Sequence, residues 1–321
     1  MPFITHDAVR TIAVIGAGTI GASWSAWFLA RGLTVRVSDP APAAPDMVRA
    51  YVREAWPALR QLRITEEAVD QALARLSFHA SAGEAAQGAD FVQENAPERV
   101  AVKQAVLKEI DAVVPADRVI ASSTSGFGVT EMQAEMRHPE RLVVGHPFNP
   151  PHLIPLVEVV GGGRSSEEAV QWAIGFYNHV GKRAIHVRKE VPGHIANRLQ
   201  AALWREALHL VQEGVGSVDD IDAAIAYGPG LRWAIMGPHL TFHLAGGRGG
   251  IAHFFDHLGP NVEKWWADLG TPHITPELRD MIARGVEEEI AGRSYESLVE
   301  HRDKALLGVL AATRQPLPAE E

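Results

Sequence analysis

The segment Gly16-Ala17-Gly18-Thr19-Ile20-Gly21 constrains this chain more than any other. It follows the short, apolar, β-prone run Thr11–Ile15 and opens a helical pattern that continues through Trp27 and Leu29, so it reads as strand, glycine turn, helix. Gly32 closes that helix. Leu33–Val37 then forms a second strand ending at Asp39-Pro40, which completes a compact βαβ unit. Gly16 permits the tight bend, Gly18 removes a side chain where a pyrophosphate must approach, and Gly21 lets the helix pack against the strand. The unsatisfied N–H groups at the helix start face the anion. A carboxylate at Asp39 accepts hydrogen bonds from both hydroxyls of an adenosine ribose and repels a 2′-phosphate, favouring NAD over NADP. FAD shares the fingerprint, and the loop alone does not separate the two.

Further apolar runs occur at 91–92, 119–121, 142–144, 157–160 and 184–187, with amphipathic stretches such as 99–114 and 166–179 between them. This alternation predicts an α/β fold, a Rossmann-type doubly wound sheet with helices on both faces. After Pro192 the pattern changes. Residues 193–214 read as one long helix, followed by helical segments punctuated at Gly228-Pro229-Gly230, Gly237-Pro238, Gly246-Gly247, Gly259-Pro260 and Pro276. The organisation predicted is a nucleotide-binding domain over 1–188, an all-helical domain over 189–321, and a frayed tail over 315–321.

Composition narrows the partners. The 321 residues carry 30 Lys plus Arg against 39 Asp plus Glu, a formal charge of −9, so no broad electropositive surface is expected to hold nucleic acid. The absence of cysteine removes disulfides, thiolate metal sites and cysteine nucleophiles together. Residues 1–10 do not read as a signal peptide, and no uncharged apolar run reaches the ~18 residues of a membrane span. A cytoplasmic enzyme or binding protein without a membrane partner is the expectation. Two i,i+4 histidine pairs, His239/His243 and His253/His257, have the spacing of zinc ligands, but neither has an evident third ligand nearby and no metal is expected.

Three segments carry candidate chemistry. Ser122-Ser123-Thr124-Ser125-Gly126 follows the strand at 119–121, where α/β sheets place ligand-facing loops, and Gly145-His146-Pro147-Phe148-Asn149-Pro150 stands in the same relation to the next strand. Glu158 interrupts the apolar run Leu156–Val160, and an isolated carboxylate in a buried strand demands a partner, most obviously His146. Asn197 lies in the first turns of the helix after Pro192-Gly193. Oxidising a secondary alcohol by hydride transfer needs a base for the hydroxyl proton and donors for the oxygen as it becomes a carbonyl. His146 suits the first task near neutral pH, Glu158 would fix its tautomer, and Ser125 and Asn197 would hold the oxygen. From spacing alone, such turns and strand-end histidines also occur in many folds without this chemistry.

Taken together, the glycine loop, Ser-Ser-Thr-Ser-Gly126, Gly-His-Pro-Phe-Asn-Pro150, Leu-Val-Glu-Val159 and Val-Pro-Gly-His-Ile-Ala-Asn-Arg-Leu199 resemble the 3-hydroxyacyl-CoA dehydrogenase superfamily over essentially the whole chain. The resemblance implies NAD as cofactor, a Rossmann lobe, a helical C-terminal lobe that forms a homodimer, and catalytic roles for Ser125, His146, Glu158 and Asn197. It also implies that Glu98 and Lys103 touch NAD. His194 departs from the pattern, since short-chain acyl-CoA enzymes usually carry an aromatic residue there. Within the superfamily, His186–Gly193, Ala202–Val211 and Gly230–Gly237 look most like the carnitine-oxidising branch, which implies a small-molecule substrate oxidised at its 3-hydroxyl. L-gulonate, a short 3-hydroxyacyl-CoA, and a non-catalytic NAD-binding role like that of crystallin relatives are the alternatives. A trimethylammonium group is recognised by aromatic faces. Phe148, Tyr227, Trp233 and Phe254 are the candidates for that contact, with Arg198 or Arg232 for a substrate carboxylate.

Overall fold

The computed structural model describes residues 2–313, so the tail expected at 315–321 lies outside the described residues. The chain divides at Ala196/Asn197 into two compact units.

The first unit holds one eight-stranded sheet in the order β3-β2-β1-β4-β5-β6-β7-β8. The strands are β1 (Thr11–Ile15), β2 (Thr34–Ser38), β3 (Leu76–His79), β4 (Phe91–Glu94), β5 (Ile120–Ser122), β6 (Leu142–Pro147), β7 (Leu156–Gly161) and β8 (Arg183–Val187). Its helices are α1 (Thr19–Ala30), α2 (Ala44–Gln61), α3 (Val69–Leu73), α4 (Ala82–Ala86), α5 (Val100–Asp111), α6 (Val129–Met132) and α7 (Glu167–His179). Neighbouring strands pair in parallel throughout, except that β7 runs antiparallel to β6.

Alternation along the strands builds two cores. Ile12, Val14, Val35, Val37, Phe91 and Val143 pack beneath α1, α2 and α7, while Ala13, Ile15, Val92, Ile120, Leu142 and Val144 meet α4, α5 and α6 on the other face. Buried from Gly21 to Ala30, α1 carries the fully buried Trp24 and Trp27, as expected of a helix that is apolar all round. At the start of α7 the Ser166 hydroxyl accepts the Ala169 N–H, satisfying one of the donors a helix leaves open there.

The structure departs from the sequence reading in four places. β3 was not expected; it is an edge strand whose residues are mostly half-buried, so its apolar signal is weak. His146 was expected in a loop after its strand, but antiparallel pairing with β7 prolongs β6 to Pro147. The units divide at Ala196/Asn197, past the expected 188/189, because residues 190–196 are tied to the first unit. Glu190 accepts the Thr130 N–H, His194 meets the Thr124 carbonyl, and the Ile195 and Ala196 N–H groups bond Glu158.

The second unit is helical: α8 (Ala196–Gln212, its first residue belonging to the first unit), α9 (Val218–Ala226), α10 (Pro229–Trp233), α11 (Pro238–Ala245), α12 (Gly250–Asp268), α13 (Pro276–Ile290) and α14 (Tyr295–Thr313). Ser217 and Asp220 form a reciprocal capping box on α9. The fourth departure is here: Gly259-Pro260, expected to interrupt the chain, lies inside α12. A proline deletes one backbone donor, a loss that this 19-residue helix carries while continuing on both sides of it. Few large apolar side chains of this unit are buried, among them Leu208, Val218, Phe254, Leu278 and Leu310.

Candidate functional site

The glycine turn is built as a dinucleotide cradle. Gly16 has φ +90°, and a Cβ there would stand 2.5 Å from the Asn95 carbonyl oxygen; one on Gly21 would stand 1.8 Å from the Gly16 carbonyl oxygen. A Cβ on Gly18 would meet nothing within 4 Å, so the turn presents open space at that residue. No side chain caps α1, which leaves its first-turn N–H groups available to an anion. Asp39 stands at the end of β2, with one carboxylate oxygen accepting the Ala17 N–H at 2.7 Å and the other the Ala41 N–H at 2.8 Å. The acid is thereby fixed beside the cradle, and the residues present fit the adenosine and pyrophosphate of NAD.

His146 and Glu158 face one another directly in the register of β6 and β7. The His146 Nδ1 lies 2.9 Å from Glu158 Oε2, and the carboxylate is wholly buried. Its other oxygen accepts the Ile195 and Ala196 N–H groups, both at 2.9 Å, on the segment leading into α8. Burial by itself would raise the Glu158 pKa. The His146 contact and the two main-chain donors outweigh it and hold the acid below the usual carboxylate range. An ionised carboxylate at Nδ1 keeps the ring proton on that atom and frees Nε2 to act as a base. Phe148 stands edge-on to His146 with ring centroids 5.2 Å apart.

The loop after β5 is organised by Glu98. Its Oε1 accepts the Thr124 hydroxyl at 2.6 Å, the Ser125 N–H at 2.8 Å and the Gly126 N–H at 3.1 Å, with the Ser125 hydroxyl at 3.4 Å. Half-burial pushes the Glu98 pKa up, but the Thr124 hydroxyl, the Lys103 charge and the Ser125 N–H together bring it below its ordinary value. Lys103 is buried, with its ammonium 3.1 Å from Glu94, 3.2 Å from Glu98 and 3.0 Å from the Ala96 carbonyl. Both residues expected at the cofactor therefore also brace the loop that carries Ser125. Glu94, which also accepts the Ser122 hydroxyl, was missed in the sequence; its one signal there is an acid closing the apolar strand Phe91–Glu94.

His194 is a further member of the cluster. It is buried, adopts φ +50°, and its ring centroid lies 5.2 Å from that of His146. Its Nε2 lies 3.3 Å from the Thr124 carbonyl oxygen, a contact that requires the proton on Nε2 and leaves Nδ1 an acceptor in the neutral ring. That Nδ1 is buried without a hydrogen-bond partner among the described residues. Burial first, and His146 nearby, push the His194 pKa below its ordinary value.

The remaining predicted residues lie in the second unit. Asn197 sits in the first turn of α8, immediately after the Glu158-bonded Ala196. Tyr227 and Trp233 are exposed, and Phe254 packs on Phe242 with centroids 4.7 Å apart. Arg198 and Arg232 are exposed. His253 and His257 stack edge-on at 4.6 Å, and among the described residues no three His, Asp or Glu side chains gather as a metal set.

Comparison with known proteins adds to this geometry. Residues 11–191 match the model of the 3-hydroxyacyl-CoA dehydrogenase NAD-binding domain, and residues 193–269 that of the 3-hydroxyacyl-CoA dehydrogenase C-terminal domain. The chain is 52% identical over 316 residues to an L-carnitine dehydrogenase of Nocardiopsis dassonvillei, covering 98% of this chain and 95% of that one. It is 53% identical to an L-carnitine dehydrogenase of Streptomyces griseus, covering 98% and 93%. In structure it is similar to 5-formyl-3-hydroxy-2-methylpyridine 4-carboxylic acid 5-dehydrogenase, an NAD+-dependent dismutase, with a TM-score of 0.82, 31% identity, and coverage of 96% of this chain and 100% of that one.

Proposed function

The chain belongs to the 3-hydroxyacyl-CoA dehydrogenase family and is an NAD-dependent dehydrogenase, and from that premise we propose that it oxidises the 3-hydroxyl of L-carnitine to 3-dehydrocarnitine. The observation that carries the choice of substrate is the similarity to curated L-carnitine dehydrogenases along nearly the entire chain. NAD, when bound, supplies the ring that accepts hydride from the carbinol carbon.

The protein's own groups handle the proton and the charge. His146 Nε2 takes the hydroxyl proton, and Glu158 at Nδ1 stabilises the imidazolium that results. The Ser125 hydroxyl and the Asn197 amide hold the substrate oxygen as it becomes a carbonyl. Gly16 to Gly21 and Asp39 bind the dinucleotide, and Glu98 and Lys103 join them while bracing the Ser125 loop. Phe148 offers its ring beside the base. The reaction uses L-carnitine and NAD+ and yields 3-dehydrocarnitine, NADH and a proton.

We also propose a homodimer formed through the second unit. Its support is the apolar surface this unit leaves in water: Trp265 and Trp266 are each 64% exposed, Ile235 68% and Tyr295 76%. Among the described residues no helix is long and apolar enough to cross a membrane. The test of the reaction is the initial rate of NADH formation with L-carnitine, D-carnitine, L-gulonate and 3-hydroxybutyryl-CoA measured in parallel. Turnover confined to L-carnitine is the expected result, and inactivity with it overturns the proposal.

A further inference from the structure

We infer that a hollow of about 190 Å³ in the first unit, lined by Phe127, Val160, Glu190, Val191, Pro192 and His194, is the subsite for a quaternary ammonium group of the substrate. The inference deepens the proposed reaction and rests on it for the identity of the substrate. Its ground is the juxtaposition of one fixed carboxylate, one phenyl ring and apolar walls beside the His146–Glu158 pair.

Position comes first. His194 lines the hollow and its ring is 5.2 Å from that of His146. Val160 lies on β7 two residues beyond Glu158, hence on the same face of the strand, and Phe127 follows Ser125 by two residues. In carnitine only two bonds separate the carbinol carbon from the nitrogen, so a head group whose hydroxyl meets His146 must lodge next door.

Charge decides what fits. Among the described residues lining the hollow, Glu190 is the one side chain charged at neutral pH. It is held in place, with one oxygen accepting the Thr130 N–H at 2.9 Å and the other the Thr130 hydroxyl. The neighbouring His194 is buried, and burial lowers its pKa, so this wall adds no positive charge. A trimethylammonium group has no N–H to satisfy and presents only weakly positive methyl surface. It packs on apolar walls and an aromatic ring and needs a nearby anion, not a hydrogen-bond acceptor in strict geometry. A substrate carboxylate in the same place would face Glu190. The hydroxyls of a sugar acid would meet apolar walls over most of the lining.

The experiment is calorimetric titration of the full-length protein saturated with NADH, using 4-(trimethylammonio)butanoate and 5,5-dimethylhexanoate, its isostere with an uncharged tert-butyl head in place of the ammonium. Wild type is expected to prefer the cation by about tenfold or more. Glu190→Gln keeps an oxygen for the Thr130 N–H and an amide for its hydroxyl, and should cut that preference to about twofold or less while NADH affinity stays unchanged. Phe127→Leu, which leaves Glu190 in place, should reduce the preference severalfold and carries the test should the first variant not fold. A wild type that binds neither probe or shows no preference, or variants that keep the wild-type preference, overturns the inference. Oxidation of L-carnitine with a preference untouched in Glu190→Gln sinks the subsite and spares the reaction. A preference lost in that variant, with no oxidation of L-carnitine by wild type, does the reverse.

Discussion

Replacing Glu158 by glutamine should damage catalysis far more than folding, for a reason legible in its hydrogen bonds. One carboxylate oxygen accepts two main-chain N–H groups at 2.9 Å, and the other faces His146 Nδ1 at 2.9 Å. Glutamine has one accepting end and one donating end. The two N–H donors fix its oxygen, which turns its NH₂ toward Nδ1. That amide requires a bare Nδ1, so the ring proton moves to Nε2, the atom that should receive the alcohol proton. The lost charge-assisted hydrogen bond is worth about 1.5–3 kcal/mol, or about 10- to 150-fold in rate. The wrong tautomer adds to this; in the Ser-His-Asp triad the same acid-to-amide exchange costs ~10⁴ in kcat. The expected fall in kcat is therefore between ~10² and ~10⁴, read from NADH absorbance at saturating L-carnitine and NAD. Because the two N–H groups keep an acceptor, the melting temperature should move by only a few degrees. A variant with kcat within about twofold of wild type would refute the reasoning.

Asp39→Ala removes the acid proposed to hold the ribose hydroxyls and should lower kcat/KM for NAD by about 10- to 100-fold while narrowing its advantage over NADP; an unchanged NAD dependence contradicts the assignment. Stability should also fall in mild acid, because buried His194 resists protonation while the unfolded chain takes up a proton near the ordinary ~6.5. The unfolded state then binds more protons as pH drops below that value, and His194→Phe should flatten the decline in melting temperature between about pH 6.5 and 5. Glu158, whose pKa is depressed, adds its own loss only lower down, as pH falls from the ordinary carboxylate value of ~4.3 through its folded pKa. An unaltered slope in His194→Phe contradicts this.

What could be read from the sequence follows the range of the interactions involved. The β1–loop–α1 unit was legible because each step is local: an apolar run, glycines where side chains cannot fit, and an acid at the next strand end. The His146–Glu158 pair was legible because a lone carboxylate in an apolar strand leaves few explanations, although the direct opposition of the two residues depends on an antiparallel register that spacing does not reveal. β3 went unread because a half-buried edge strand has a weak apolar signal. Pro260 misled because a proline removes a single backbone donor, and the 19-residue helix α12 continues on both sides of it. The fixed Glu190 and the buried His194, whose Nδ1 has no partner among the described residues, depend on contacts with residues 60 and 70 positions away, and no periodicity announces those.

Catalysis turns on a single imidazole, and the most direct measurement is made on His146→Gln. NADH binding, followed by fluorescence titration, should match wild type, because the glycine loop and Asp39 are untouched. L-carnitine oxidation should fall by ~10²–10⁴, the usual contribution of a positioned general base. A variant that binds NADH normally and oxidises L-carnitine at the wild-type rate would contradict the account.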